Sequence, residues 1–356
     1  DVTNSQAIIT SYSPYRPFTS IQESGLYIKE LENSELTYEK KHELNIGADM
    51  GFLNNRINLA VDWYKRNNYD LIGIVNTQGA GGQILKYANI ASMKSHGIEF
   101  TLSTKNIKTK DFNWNTDFIF SNAKNEVTDL KQNANVMELI SGNGFAKQGY
   151  PVRGLFSIPF VGLDKDGIPV IINEKGEATS TDINFQERQN TGFLKYEGPT
   201  DPTITGSLGN MFSYKGFRLN LFITYSFGNV IRLNPVFKAY YSDLTAMTRE
   251  FKNRWTLPGD EAKTNVPAIL SKRMYDSNED LKYAYNAYNY STERIAKGDF
   301  IRLKEISLAY DFPKAWINPL KLTDLSLKVQ ATNRFLIYAD DKLNGQDPEF
   351  FNAGGV

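Results

Sequence analysis

The sequence contains no cysteine in 356 residues and only two histidines. A disulfide framework, a thiolate metal site and a cysteine nucleophile are therefore excluded for this chain. Basic and acidic residues number 40 each, so the net charge is zero and no excess of positive charge predicts nucleic acid as a partner. No run approaches the roughly 20 apolar residues that a membrane-spanning helix requires. Any membrane-spanning element in this chain must therefore be a strand.

The sequence signatures of common catalytic sites are also absent. It has no HExxH, GxSxG, P-loop or dinucleotide-binding motif. His42 and His96 lie far apart, each near the start of a predicted strand, which argues against a shared metal site. The run Asp164-Lys-Asp-Gly167 offers two carboxylates to Ca²⁺, but the later Glu of an EF-hand loop is missing, and a simple turn is favoured. We predict no enzyme activity, no catalytic residue, no metal ion and no cofactor.

Alternation of apolar and polar residues is the strongest pattern that is present. Over residues 44–52 apolar side chains occupy every second position, and the alternation resumes over 57–64 after the turn residues Asn54 and Asn55. These two runs predict a hairpin. A change of parity near Lys304 and Glu305 predicts a β-bulge. The predicted strands are 42–52, 56–66, 94–104, 112–122, 207–215, 217–227, 299–312 and 324–336.

Within the alternating runs of these strands, such as 44–52, 57–63 and 98–102, the apolar side carries no charged residue, and aromatic residues gather toward the strand ends. A soluble β-sandwich alternates in the same way, so the strand pattern alone leaves both a sandwich and a membrane barrel open. The connections distinguish them because short links alternate with long segments such as 123–206 and 228–297. We predict an all-β fold, an antiparallel transmembrane β-barrel with short periplasmic turns and long extracellular loops.

Several blocks of the sequence resemble the SusC/RagA-like TonB-dependent outer-membrane transporters. The motifs include Gly-Ile-Glu at 97–99, Arg-Leu-Lys at 302–304 and Asp-Pro-Glu at 347–349. The blocks that carry the resemblance are 33–40, 44–66, 89–99, 298–313, Asn333 and 347–349. The resemblance implies that residues 1–356 form the C-terminal part of a barrel of about 22 strands. The family's plug domain and final strand are not seen in this sequence, so we expect the chain to be part of a longer protein.

The resemblance also implies a function and partners. Members import large nutrients, typically oligosaccharides or peptides, across the outer membrane with energy delivered by TonB through the plug. A SusD-like surface lipoprotein covers the extracellular loops as a lid, and two such pairs often associate as a dimer. We therefore expect outer-membrane lipid, TonB, a SusD-like lipoprotein and an oligosaccharide or peptide as partners, and no nucleic acid. The alternatives are a soluble secreted glycan-binding module that is rich in β-structure and a small barrel that acts as an adhesin.

Aromatic residues in the second long loop are the candidates for contact with substrate, since aromatic rings stack on sugars and can pack against peptides. Packing of the same rings within the loop, or against the lipoprotein, is the competing explanation. The candidate residues are Tyr240, Tyr241, Tyr283, Tyr285, Tyr288 and Tyr290. Polar strand residues such as Asp49, Asp62 and Arg218 are expected to face the barrel lumen.

Overall fold

The computed structural model describes residues 9–13, 25–30, 33–76, 85–142, 147–237 and 247–349. Four short α-helices lie in these residues: α1 (Val136–Ser141), α2 (Lys272–Ser277), α3 (Leu281–Asn289) and α4 (Lys314–Ile317). Seventeen strands lie in the same residues: β1 (Ile9–Ser13), β2 (Gly25–Glu30), β3 (Lys40–Phe52), β4 (Ile57–Asn76), β5 (Leu85–Lys108), β6 (Phe112–Leu130), β7 (Gly154–Ser157), β8 (Phe160–Leu163), β9 (Pro169–Ile172), β10 (Ala178–Thr179), β11 (Lys195–Pro199), β12 (Ile204–Tyr214), β13 (Phe217–Phe227), β14 (Val230–Arg232), β15 (Ile295–Lys297), β16 (Phe300–Asp311) and β17 (Ser326–Ala339).

Eight of the strands form one antiparallel sheet in the order β3-β4-β5-β6-β12-β13-β16-β17. Each strand pairs with the strands before and after it in this order, so the sheet is an up-and-down meander. The smaller sheets are β1-β2, β7-β11, β8-β9-β10 and β14-β15. In the described part of the chain no helix is long and apolar enough to cross a membrane. The prediction of an antiparallel all-β fold is confirmed.

The first predicted hairpin is confirmed in its register. Ile46 pairs with Trp63, and the pairing continues to Phe52 opposite Ile57. The intervening turn holds Leu53, Asn54 and Asn55 at φ of 53°, 54° and 59°. Asparagine tolerates this left-handed region better than most residues, which explains why two asparagines stand in the turn.

The bulge predicted near Lys304 is also confirmed. Glu305 pairs with Phe222 while Leu303 pairs with Ile223, so Lys304 is skipped in the ladder. The extra residue restores the alternation, because Leu303 and Ile306 then lie on the same side of the sheet.

Three strands extend well past their predicted ends. β4 has 20 residues, β5 has 24 and β6 has 19, so residues 123–130 belong to β6 and not to the long loop predicted from 123. The alternation of apolar residues stops before these strand ends, but backbone pairing does not depend on hydrophobicity. The side chain of Asn89 adds support at this end, since it accepts from Thr37 N at 2.8 Å and donates to Thr37 O at 2.9 Å.

The two sides of the sheet differ in chemistry. The apolar side includes Leu59, Phe118 and Leu221, which are half-buried, and Val329, which is 68% exposed. Within the described residues no second protein layer covers this side. Ring contacts run across it between strands, for example between Phe118 and Tyr225 at 6.3 Å. The opposite side is polar.

Connections between strands are short at one end of the sheet and long at the other. Two to four residues join β3 to β4, β5 to β6 and β12 to β13, whereas β6 to β12 and β13 to β16 are joined by the segments 131–203 and 228–299. In a bacterial outer-membrane barrel the short turns lie in the periplasm and the long loops outside the cell. The predicted barrel would therefore carry the long segments at its extracellular end.

Candidate functional site at the extracellular end

The segments 131–203 and 228–299 pack on each other and form what we call the loop domain. Its largest core combines α1, β7 and β9 with residues from the end of α3. The core residues are Val136, Leu139, Ile140, Phe156, Ile158, Ile171, Leu194, Ala287 and Tyr290. Burial of these side chains gives the long loops a hydrophobic core of their own.

The turn Asp164–Gly167, considered above as a Ca²⁺ site, connects β8 to β9. The Asp164 carboxylate accepts hydrogen bonds from Asp166 N and Ile168 N, both at 2.9 Å. The backbone therefore uses this carboxylate to hold the turn. Within the described residues no group of three or more His, Cys, Asp or Glu side chains is placed to hold a metal ion.

The tyrosines of the predicted site lie in different environments. α3 places Tyr285 and Tyr288 on its inner side, where both are completely buried, and Tyr290 just after the helix is buried too. Tyr283 lies on the opposite side and is 41% exposed. The rings of Tyr285, Tyr288 and Tyr290 therefore pack inside the loop domain, as the competing explanation describes, and their contact with substrate stays a prediction. Tyr240 and Tyr241 lie outside the described residues.

Helical periodicity explains this burial. The sequence analysis predicts a loop for the segment 281–289, in which tyrosines alternate with alanine and asparagine. Its buried residues are spaced three or four apart, as on one side of a helix. They are Leu281, Ala284, Tyr285 and Tyr288.

Buried arginines join the separate segments of the loop domain, and the sequence analysis missed them. Arg294 donates to Asn234 O and to the Glu250 carboxylate, both at 2.6 Å. Burial lowers the pKa of Arg294, but the hydrogen bond to Glu250 and the interactions with Glu250 and Tyr288 together outweigh burial, and the net shift is upward. Burial of the nearby Tyr288 hydroxyl raises its pKa. The guanidinium therefore fixes the segment around 250 against β14 and β15.

Arg232 has no carboxylate within ion-pair distance in the described residues. Its guanidinium donates to Ile140 O at 2.9 Å and Phe156 O at 2.7 Å, and it lies 5.3 Å from the Tyr290 ring centroid. Burial lowers the pKa of Arg232 to about 9, so the group is still charged at neutral pH. Carbonyl oxygens and an aromatic face replace a counter-ion here. Arg232 thereby ties the end of α1 to β7.

Residues 340–349, which we call the strap, connect the loop domain to the polar side of the sheet. Arg302 on β16 contacts Asp347 at 2.6 Å and Glu349 at 2.9 Å, and Lys304 contacts Glu349 at 2.7 Å. The bulge at Lys304 leaves that side chain free to reach the same carboxylate as Arg302. The Asp-Pro-Glu motif is thus held against the lumen side of the barrel wall.

The other end of the strap contacts the loop domain. Gln346 accepts from Asn234 N at 2.8 Å and donates to Arg232 O at 3.2 Å. Leu343 packs in a small cluster with Ile231 and Leu233. Pockets of about 330 Å³ and about 180 Å³ lie beside the strap, and the larger one is lined partly by Arg302. The strap therefore connects the barrel wall and the loop domain through both polar and apolar contacts.

The polar residues predicted to face the lumen share one side of the sheet. Asp62 lies directly opposite Glu99 in the ladder, and Asp117 accepts from the Ser103 hydroxyl at 2.6 Å. Arg218 forms an ion pair with Asp311 at 2.8 Å. This polar side is continuous with the site at which the strap is anchored.

Comparison with known proteins identifies similar molecules. The chain is 25% identical over 368 residues to the "TonB-dependent receptor P3" of Formosa agariphila, an alignment covering 96% of this chain and 34% of that protein. It is 26% identical over 341 residues to the "TonB-dependent receptor SusC" of Bacteroides thetaiotaomicron, with 89% of this chain and 30% of that protein covered. The chain thus spans about a third of the length of these curated relatives. No protein-family model matches the sequence.

Solved structures agree on the fold. The "RagAB peptide transporter" superposes with a TM-score of 0.71 at 23% sequence identity, covering 99% of this chain and 36% of that one. The "closed-closed" state of the RagAB peptide importer gives a TM-score of 0.72 at 22% identity. The relatives are named as receptors and transporters, and none of these names is that of an enzyme. The predicted resemblance is likewise confirmed: the chain is similar to TonB-dependent receptors that include SusC, and its fold matches part of the RagAB outer-membrane barrel.

Proposed function

We propose that this chain forms part of a TonB-dependent transporter that imports a large nutrient, an oligosaccharide or a peptide, across the outer membrane. The observation that carries the proposal is the sheet itself, whose apolar side has no protein cover in the described residues and whose extracellular end bears a folded loop domain. An apolar exterior and a polar interior with long outer loops are the features of a bacterial transport barrel. A plug domain in the same protein would fill the lumen and receive energy from TonB.

A SusD-like surface lipoprotein is the proposed partner of the loop domain. The exposed apolar side chains Val161, Leu257 and Tyr283 lie on this domain and support the proposal, because exposed apolar surface favours a protein contact. Tyr283, together with the predicted contacts Tyr240 and Tyr241, is our candidate for contact with the lipoprotein or with the substrate. Association of two transporter–lipoprotein pairs stays a prediction.

Uptake by cells tests the import activity. In a strain that lacks the gene, we expect the full-length protein to restore uptake of labelled oligosaccharide or peptide mixtures, and to fail when TonB is also deleted. The two mixtures are supplied separately, so that the result identifies the substrate class. Co-purification in detergent with the lipoprotein encoded beside the gene tests the partner.

Fractionation tests the competing reading of a secreted glycan-binding module. The full-length protein is expected in the outer-membrane fraction and to require detergent for extraction. Recovery from the culture medium as a soluble protein would contradict the transporter proposal.

A further inference from the structure

The periplasmic end of the sheet is strongly basic, although the whole chain has no net charge. The turn segments 53–56, 105–111, 214–218 and 311–325 contain eight basic and only three acidic residues. The basic residues are Arg56, Lys105, Lys108, Lys110, Lys215, Arg218, Lys314 and Lys321, and the acidic residues are Asp111, Asp311 and Asp324. An excess of this kind in such short turns creates a positive potential along the lower edge of the barrel wall.

Six of these residues are lysines, and none of the six has an ion-pair partner in the described part of the chain. Lys105 donates to Asn55 O at 3.4 Å, and we call the other five the basic rim. They are Lys108, Lys110, Lys215, Lys314 and Lys321. Two lysines near the extracellular ends of the strands are paired instead: Lys40 with Asp70 at 2.8 Å and Lys94 with Glu126 at 3.0 Å. The charge of the basic rim is therefore available to an external anionic group.

One periplasmic connection also exposes large apolar side chains. The link between β16 and β17 covers residues 312–325 and contains α4, whereas the three other short turns have two to four residues. Ile317 is buried beneath the link, but Trp316 is 63% exposed and Leu320 is 65% exposed. A turn that met only water would gain nothing from exposing a tryptophan and a leucine.

Ring contacts connect this link to the apolar side of the sheet. Trp316 lies 6.4 Å from Phe312, and Phe312 lies 5.0 Å from Tyr310, measured between ring centroids. Tyr310 in turn lies 4.4 Å from Phe217, its partner in the ladder. Trp316 therefore extends the lipid-facing aromatic surface beyond the last strand residues, to the depth where tryptophan is enriched in membrane proteins.

The basic rim lies at the same level. Lys215 extends over the ring of Tyr214, with Nζ 5.3 Å from the centroid, and Lys314 is the first residue of α4. Lysine stems that cover aromatic rings at a membrane boundary carry their charged ends toward lipid headgroups.

We propose that the basic rim binds anionic phospholipid headgroups of the periplasmic leaflet, with the link 312–325 lying in the lipid–water interface. Charge complementarity selects the occupant, because unpaired ammonium groups beside exposed tryptophan and leucine match a phosphate above acyl chains. The proposal depends on the location in the outer membrane and not on import activity, so loss of lipid binding and loss of uptake are separable results.

Lipid preference of the purified full-length protein is the first test. Dissociation constants are measured at low salt for fluorescent phosphatidylglycerol and phosphatidylcholine. Wild-type protein is expected to prefer phosphatidylglycerol. Combining K215Q, K314Q and K321Q should reduce that preference about tenfold or more, since each lysine contributes roughly a fivefold effect near an anionic surface. The matched control combines K165Q, K252Q and K342Q, which are exposed loop-side lysines without ion pairs, and it should keep the wild-type preference.

Two results of that test would overturn the proposal. One is an unchanged preference for phosphatidylglycerol in the rim variant. The other is an equal loss in the rim and control variants, which would reveal general charge attraction.

The depth of Trp316 is the second test. The emission of Trp316 is the difference between the fluorescence of the wild-type protein and that of W316F. In proteoliposomes, lipids with a nitroxide at the headgroup or at a shallow acyl position should quench this emission. Quenching of that component by aqueous acrylamide alone would place Trp316 in water and refute the interfacial position. This readout is independent of the lysine variants, and the W316F substitution keeps an aromatic ring.

Discussion

Tyr283 and Tyr285 are two positions apart in α3 but lie in opposite environments. Two helical steps turn a side chain by about 200°, so one tyrosine faces solvent while the other enters the core. Tyr285 packs against Phe237 at 5.3 Å between ring centroids. The same residue type therefore serves stability at one position and is available for recognition at the other.

Substitution of these tyrosines by alanine should separate the two roles. We expect Tyr285→Ala to destabilise the loop domain by about 3–5 kcal/mol, as is typical when a buried aromatic ring is removed. Tyr283→Ala, the matched exposed control, should change stability by less than about 0.5 kcal/mol. Hydrogen exchange of the loop-domain amides measures both effects. Equal destabilisation by the two substitutions would contradict the helix orientation.

Arg302 contacts two carboxylates of the strap. Its side chain is 8% exposed, while its partners Asp347 and Glu349 are 48% and 32% exposed. Solvent screens the partly exposed carboxylates, so the pair contributes less than a fully buried ion pair would.

Arg302→Gln should loosen the strap locally. We expect the free energy of opening of residues 340–349 to fall by about 1–2 kcal/mol, because the contacts to both carboxylates are lost. The loss is limited, since water can hydrate the carboxylates once the arginine is gone. Arg218→Gln is the control, since the Arg218–Asp311 pair is half-exposed at both ends and should contribute about 0–1 kcal/mol. Amide exchange within the strap is the measurement, and unchanged exchange in Arg302→Gln would show that other contacts hold it.

At the scale of one element, the bulge in β16 reconciles two requirements. Arg302 and Lys304 must reach the strap on the lumen side, while Leu303 and Ile306 must face the apolar side. In a strand that alternates strictly, residues 302 and 304 would share one side, but residues 303 and 306 would lie on opposite sides. The unpaired residue at 304 supplies the needed change of parity.

Deletion of single residues in β16 tests this interpretation. Removal of Lys304 leaves Leu303 and Ile306 on the apolar side, so we expect the full-length protein to assemble in the outer membrane. Removal of Ser307 shifts Leu308 to the lumen side and Asp311 to the lipid side, and we expect assembly to fail. Heat-modifiable migration of the barrel is the readout. Similar behaviour of the two deletions would be incompatible with the bulge.

At the scale of the whole molecule, the eight-stranded sheet separates two environments. Neighbouring residues in β13 face opposite ways: Leu221 pairs with Ile306 on the apolar side, and Asn220 donates to Glu305 at 3.3 Å on the polar side. Both positions lie near the middle of the strand, so they face opposite sides of the sheet at nearly the same depth in the membrane.

An arginine at each of these positions tests which side meets lipid. Leu221→Arg should cost about 2–4 kcal/mol, since it places a charge in the hydrocarbon region. Asn220→Arg should be nearly neutral, because the lumen side is polar and Glu305 is close. The unfolding free energy in lipid vesicles is the measurement. Equal costs for the two substitutions would count against the membrane assignment.

Much of the fold could be predicted from local patterns. The hairpin at Asn54, the bulge at Lys304 and the alternation of short and long connections all follow from the two-residue period of strands and from turn chemistry. Strand ends were missed in β4, β5 and β6, since backbone pairing continues after the hydrophobic pattern stops.

The sequence by itself determined the positions of most strands, the two chemically different sides and the resemblance to a transport barrel, because each depends on residues close together in the chain. Only the tertiary structure decided which tyrosines of α3 are buried, and that Arg232, Arg294 and Arg302 join distant segments. These contacts unite residues up to 92 positions apart, as between Arg232 and Ile140. No local period encodes such contacts, since they arise from the packing of one long loop against another.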